Sequence, residues 1–468
     1  MRFASNRPGR IAVAMAVVAL VAAACGGGTP APSGAVTPTA TPAGSSAATG
    51  PIAVCELAYV TGDFASYGPA LSADVVFPVK KVINADPPLG RQWVSYKEDL
   101  GTVGEAQAAR TCLDKDKADI LVSIAHGYGT YRDFMMEYWQ EHDAPLGPSI
   151  HGGLIPGNLG GKGAEPIFRA QGMDEGLGVY ADLYAQSIGA KTAVIFATQI
   201  EGFQIAANAA EKAAPLLGLQ VLARLNEQAS LKSYAAVAQK ISQLKPDVVI
   251  VQAGSVESSV LIKQATEAGL SLNWIGETGW NQAEFIKSIK TSKALATQKS
   301  IGIAAFSANT TTPAWTFYQP LRDAWIQESG VDPTAYYGAD NPYAFSAYDV
   351  LVQTALAVEM AGSYKASLWA PAMFKVGAAP GDKCYTYKDC LALIRQGKDI
   401  DYDGVTGPAT YTTGGVNAVT PTYLGFKADG TTAAPVLLDS QKALDTLDQI
   451  KTTAKCDKPD PPNKCTWG

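Results

Sequence analysis

Short apolar runs alternate along this chain with longer stretches whose apolar positions fall three and four residues apart. The first pattern predicts buried strands and the second predicts helices with one apolar face. Strands are expected at 51–60, 92–96, 118–124 and 148–151, with helices at 69–85, 104–114 and 131–142 between them. The stretch 166–203 then carries the chain from one set of strands to the next. Ile167 to Arg169 ends a strand, and Asp174 stands at an N-cap position ahead of Leu177, Tyr180, Tyr184 and Ile188 at helical spacing. A second series of strands is expected at 191–197, 219–225, 247–252, 273–276 and 300–306. The stripe Leu231, Tyr234, Ala238, Ile241 and Leu244 reads as helix packing against that core.

Strands that alternate with helices predict parallel sheets covered on both faces, so the fold class is α/β with two doubly wound lobes. Ligands of such sheets bind beyond the carboxyl ends of the strands. After Phe306 the alternation stops. Helices are expected at 313–329 and 341–361, then a Cys-bounded insertion at 383–389, turn-rich hairpin strands over 401–426 and a last helix at 440–453.

Length and composition add boundaries. A chain of 468 residues exceeds one hydrophobic core. Arg2, Arg7 and Arg10 precede the uncharged apolar run 11–24, which ends Val21-Ala22-Ala23-Ala24-Cys25. That is the pattern of a secretory leader, and small residues before a Cys resemble a bacterial lipobox, in which Cys25 is lipidated. Residues 26–50 are Gly, Pro, Ala, Ser and Thr-rich and uncharged, the composition of a flexible spacer. The expected organisation is a leader at 1–24, a lipidated Cys25 with its linker at 25–50, and lobe one at 51–172. Lobe two follows at 173–306, a return to lobe one at 307–400, lobe two again at 401–455, and a stapled tail at 456–468. The protein is then expected on the outer face of a bacterial cytoplasmic membrane, held by lipid and monomeric.

Apart from Cys25, six cysteines remain, an even number that suggests disulfides in an oxidising compartment. Cys384 and Cys390 form one close pair and Cys456 and Cys465 another, leaving Cys55 and Cys112 for a third by elimination. No metal or other cofactor is expected. A net charge of −6 without a basic cluster argues against a nucleic-acid partner.

Several stretches together resemble the substrate-binding lipoproteins of branched-chain amino-acid ABC transporters, with the type I periplasmic binding protein fold. They are G-D-F-A-S-Y-G-P-A at 62–70, F-R-A-Q-G-M-D-E-G-L-G at 168–178, K-P-D-V-V-I-V-Q-A-G at 245–254, S-A-Y-D-V-L at 346–351 and D-G-V-T-G-P-A-T-Y at 403–411. The resemblance covers roughly 51–453. It implies two lobes joined by three crossovers, a small solute held between them, ABC permease subunits as partners and no catalysis. It also implies a ligand set. Gly129, Thr130, Gly152 and Gly153 lie in the loops that hold a carboxylate in amino-acid binders. Asp174 matches the crossover aspartate that meets an ammonium group. Thr278 aligns with a second acid, with Glu277 one residue early. Glu201 replaces an aromatic residue before Gly202, the aromatic wall near Ser255 is missing, and Trp280 offers a substitute. Tyr67, His126 and Tyr128 stand at strand ends facing the same cleft. The solute class left open is an amino acid, an amide or a small carboxylate.

Two other function classes are weighed. A sensor lipoprotein that signals ligand state to a membrane receptor has the same sequence features. A cell-surface hydrolase needs a nucleophile and base, and Ser149 in G-P-S-I-H lacks the second glycine of a nucleophile elbow.

Overall fold

A computed structural model of the chain describes residues 50–61, 65, 68–123, 128–144, 147–149, 167–306, 312–335, 342–411, 421–451, 454–456 and 465–467. The leader, Cys25 and the linker therefore lie outside the described residues. Among the described residues no helix is long and apolar enough to cross a membrane.

The apolar run at the start of lobe one forms β1 (Ile52–Ala58), buried on both faces. Strands buried on both faces are what a parallel sheet between two helical layers requires. β2 (Trp93–Asp99), β3 (Ile120–Ser123), β4 (Gly147–Ser149) and β5 (Ile167–Arg169) complete a sheet in the order β2-β1-β3-β4-β5, parallel at each of its four strand pairings. The second lobe is built on β6 (Thr192–Thr198), β7 (Gln220–Glu227), β8 (Val248–Gln252), β9 (Asn273–Gly276) and β10 (Ser300–Phe306). The strands expected at 273–276 and 300–306 match to the residue.

After β10 come helices 313–329, 342–361 and 366–376, then β11 (Asp382–Cys384), helix 387–395, β12 (Ile400–Gly404) and β13 (Gly407–Pro408). β11, β12 and β13 make a small separate sheet. These elements cover lobe one: Phe345, Trp369, Cys390, Tyr402 and Tyr411 share one buried cluster with Ile52, Val54 and Phe77. Phe168 of β5 meets Tyr411 edge-to-face at 5.2 Å between ring centroids. The return to lobe two expected at Asp401 therefore comes later. Residues 400–411 stay with lobe one because their apolar side chains are buried there. β14 (Pro421–Gly425) then pairs antiparallel with β10, and β15 (Val436–Leu437) pairs with β14, extending the lobe-two sheet to β15-β14-β10-β9-β8-β6-β7. Helix 440–451 packs against helices 174–187 and 201–216.

One side chain holds the lobe-one return together. Asp349, on helix 342–361, is fully buried and accepts hydrogen bonds from Tyr402 Oη (2.8 Å), Val405 N (3.1 Å), Thr406 N (2.7 Å) and Thr406 Oγ1 (2.6 Å). Two stretches that read as separate motifs, S-A-Y-D-V-L and D-G-V-T-G-P, are thus one hydrogen-bonded unit. Gly404 is required beneath it, because a Cβ there would stand 2.5 Å from Asp349 Oδ1.

Disulfides join Cys55 on β1 to Cys112 on helix 105–114, and Cys384 on β11 to Cys390 on helix 387–395. Cys55, Cys112 and Asp116 also have spacing compatible with a metal, but the S–S bond consumes both thiolates. Cys456 and Cys465 stand opposite each other in the two-stranded pair β16 (Ala454–Cys456) and β17 (Cys465–Trp467).

Candidate functional site

The described crossover between the lobes is 170–173, running from the end of β5 to helix 174–187. The crossover expected near 307 lies outside the described residues, and the one expected near 401 is displaced, because the chain is still with lobe one at Tyr411 and is with lobe two from Pro421. Segment 170–173 is buried throughout. Arg169 closes β5 at 1% exposure, and its Nη2 donates to Asp174 Oδ1 at 2.8 Å. Asp174 is itself buried. It is the first helical residue, and the N-cap is Met173, so Asp174 is not the cap that the spacing suggests. A carboxylate in the first turn still suits the positive end of the helix. The ion pair bridges the last strand of lobe one and the first helix of lobe two.

That helix meets helix 201–216 at close range. A Cβ on Gly178 would lie 2.0 Å from the Ala206 carbonyl oxygen, so this crossing needs a glycine. Glu201 begins helix 201–216, and its side chain lies outside the description.

The remaining predicted site residues are distributed as follows. Tyr67, His126, Gly152 and Gly153 lie outside the described residues. Tyr128, Gly129 and Thr130 form the first turn of helix 128–142, which begins three residues earlier than the pattern suggests. Tyr128 is buried and meets Tyr131 edge-to-face at 5.3 Å, in the lobe-one core, whereas Thr130 is exposed. The aromatic pairing buries a ring that was expected to face a cleft. Ser255 starts helix 255–267 and donates its hydroxyl to Gln282 Oε1 at 2.7 Å.

Glu277 caps the turn 278–281. Its Oε2 accepts from Gly279 N at 2.8 Å and from Thr278 Oγ1 at 3.1 Å. Thr278 is buried beside it. Desolvation pushes the Glu277 carboxyl up to about 7, and these two hydrogen bonds only partly offset it. Trp280 is fully buried and stacks on Phe285 at 4.7 Å, its ring filling the space that Gly276 leaves by having no Cβ. The substitute wall expected at Trp280 is therefore part of the lobe-two core in this conformation. An indole next to a glycine on a strand favours packing inward over exposure.

The sequence pattern assigns no role to three buried residues. Arg169 at the end of β5 and Gln171 in the crossover are buried, and Gln252 ends β8 fully buried. The signal for Arg169 was present: a cation five residues before Asp174, at the end of an apolar strand, needs a partner.

Two α/β lobes joined by a buried crossover, with helix starts and short turns at the carboxyl ends of both sheets, define a two-lobed binding protein. The chain belongs to the periplasmic binding protein family, whose model matches residues 51–425. Solved structures with the same fold include the branched-chain amino acid transporter substrate-binding protein LivJ from Streptococcus pneumoniae in complex with isoleucine. It is 16% identical with a TM-score of 0.59, covering 83% of this chain and 99% of that one. The leucine-binding protein LivK from Thermotoga maritima is 16% identical with a TM-score of 0.61 and the same coverage. An ABC-transporter solute-binding protein from Rhodopseudomonas palustris in complex with benzoate is 14% identical with a TM-score of 0.58, covering 83% and 96%. Comparison with curated proteins gave no match.

Proposed function

We propose that this protein is an extracytoplasmic solute-binding lipoprotein that captures a small polar solute between its lobes and delivers it to an ABC permease. The observation that carries the reading is the family match, which spans both lobes and the crossover between them. The solute is an amino acid, an amide or a small carboxylate; similar structures hold isoleucine and benzoate, which support the first and the last of these classes. Cys25 carries the lipid, and the linker to residue 50 gives the lobes reach from the membrane surface. Arg169 and Asp174 hold the crossover in register while the lobes move, so closure bends the chain elsewhere in the hinge. The ligand shifts the open–closed balance only by its preference for the closed form.

The test is calorimetric titration of the full chain in detergent with the three solute classes, followed by recovery of the bound compound. Saturable binding with the compound returned unchanged supports the reading. Conversion of the compound during incubation refutes it. Replacing Cys25 by Ala in cells moves the protein from the membrane to the soluble fraction; retention on the membrane rejects the lipid anchor.

A further inference from the structure

Gln252 ends β8 with no exposed surface, and neither its Oε1 nor its Nε2 has a hydrogen-bond partner among the described residues. A primary amide in that state costs folding free energy, so its presence calls for a reason. Its place in the sheet supplies one. Ile250 pairs with Ile275 across β8 and β9, so Gln252 and Glu277, each two residues further on, lie on one face at the carboxyl edge. Ala197 of β6 pairs with Gln252 and puts only a methyl group beside it.

The same face is the one covered by the helix that leaves the crossover. Gly302 pairs with Ile275, the ring of Tyr423 lies over Gly302, and Tyr423 stacks on Tyr184 of helix 174–187. Gln252 and Glu277 therefore sit at the strand ends of lobe two on its crossover side, where ligands of α/β lobes bind.

Gln252 presents an acceptor and a two-proton donor side by side, and a carboxylate has about four acceptor positions. Glu277 uses two of them, for Gly279 and Thr278. A carboxylate solute supplies acceptors only and leaves Gln252 Oε1 unpaired. An ammonium supplies donors only and leaves Nε2 unpaired. A carboxamide or urea end supplies both from one planar group, matching the side-by-side acceptor and donor of Gln252, whereas an α-amino acid carries them on two separate groups.

We propose that Gln252, with Glu277 beside it, forms the lobe-two floor of the solute site and selects a solute ending in a primary carboxamide or urea group. The solute carbonyl accepts from Gln252 Nε2, one solute N–H donates to Gln252 Oε1, and the second donates to Glu277. The assignment rests on the solute-binding reading and narrows it.

The test compares the full chain with its Gln252→Met variant, which keeps the volume and removes the polar atoms. Calorimetric titrations use butyramide and urea, with butyrate, butylamine and isoleucine as controls. The amide probes bind saturably, and Gln252→Met weakens them at least tenfold while raising the ligand-free melting temperature. Binding of butyrate, butylamine or isoleucine alone, unaffected by Gln252→Met, overturns the amide assignment and leaves solute binding standing. Amide binding that survives the substitution overturns the role of Gln252, as does failure of both amide probes to bind. A lower melting temperature for the variant also overturns it, because the amide then has a structural task.

Discussion

A buried cation at Arg169 has to be answered within the crossover, and Asp174 answers it at 2.8 Å. Removing one partner of a buried pair leaves an uncompensated charge, which costs about 3–5 kcal/mol. Asp174→Ala is therefore expected to destabilise the fold by about that amount in denaturant titration, and not merely to weaken a ligand contact. Replacing both residues, as Arg169→Met with Asp174→Leu, is expected to cost far less. A single substitution that costs under about 1 kcal/mol would show the pair to be solvated. Glu56 is a second buried acid with a legible consequence. It lies on β1 at 1% exposure, and desolvation raises its carboxyl from 4.5 to about 7, with the neighbouring Ser72 hydroxyl and the charge of Lys97 offsetting only part of it. Asp74, buried on helix 68–81, is raised well above the usual carboxylate range, first by desolvation and then by the neighbouring acids Glu56 and Asp332. The folded state thus holds a proton at Glu56 between pH 4.5 and 7 that the unfolded chain has lost. Stability attributable to this group is full below the lower value and falls as pH rises toward the upper one, by roughly 3 kcal/mol in all. Glu56→Gln is expected to flatten the fall in melting temperature over that range. An unchanged slope would mean that Glu56 is ionised in the folded protein.

At the scale of elements, the Asp349 unit shows what packing adds to a motif. Its four hydrogen bonds reach from helix 342–361 to the turn at 405–406 and the Tyr402 hydroxyl. Asp349→Ala strands two backbone amides and two hydroxyls in the core, at about 1–3 kcal/mol for each buried group left unpaired. The expected result is a chain that fails to fold, or that shows early hydrogen exchange at 400–411. Native-like protection of that segment would reject the unit. The same region separates what the sequence discloses from what it does not. Helix 313–329 and the strands of lobe two are legible because their periodicity is their burial pattern. Helix 366–376 goes unread because it contains Pro371 and is apolar on most of its surface, so no amphipathic period marks it. Residues 400–411 look like hairpin strands, and only tertiary contacts with Phe168 and Asp349 reveal which lobe they join. The site was legible in position more than in chemistry. Strand ends are visible in the pattern, but whether Trp280 turns inward or outward depends on Gly276 and Phe285.

In the whole molecule, the covalent staples are divided unequally. Both described disulfides lie in lobe one, while 174–306 and 421–451 contain no cysteine. The lobes also have separate buried cores: one cluster spans lobe two, and two others span lobe one. Separate cores permit separate unfolding transitions, although the crossovers couple them. The Cys55–Cys112 bridge spans 57 residues, whereas Cys384–Cys390 spans 6. Closing a loop as long as the first restricts the unfolded chain by about 4 kcal/mol on the chain-entropy account, and the short bridge contributes less. Reduction is therefore expected to lower the melting transition of lobe one by on the order of 10 °C and to leave that of lobe two in place. Calorimetry with and without a reductant resolves this, with hydrogen exchange at β1 and β8 assigning each transition to its lobe. A single transition that shifts as a whole would mean that the lobes unfold together through the hinge. If that happens, an Arg169→Met/Asp174→Leu chain, lacking the ion pair between lobe one and helix 174–187, should separate the two transitions. Should the transition stay single even then, the coupling runs through the other crossovers and not through this pair.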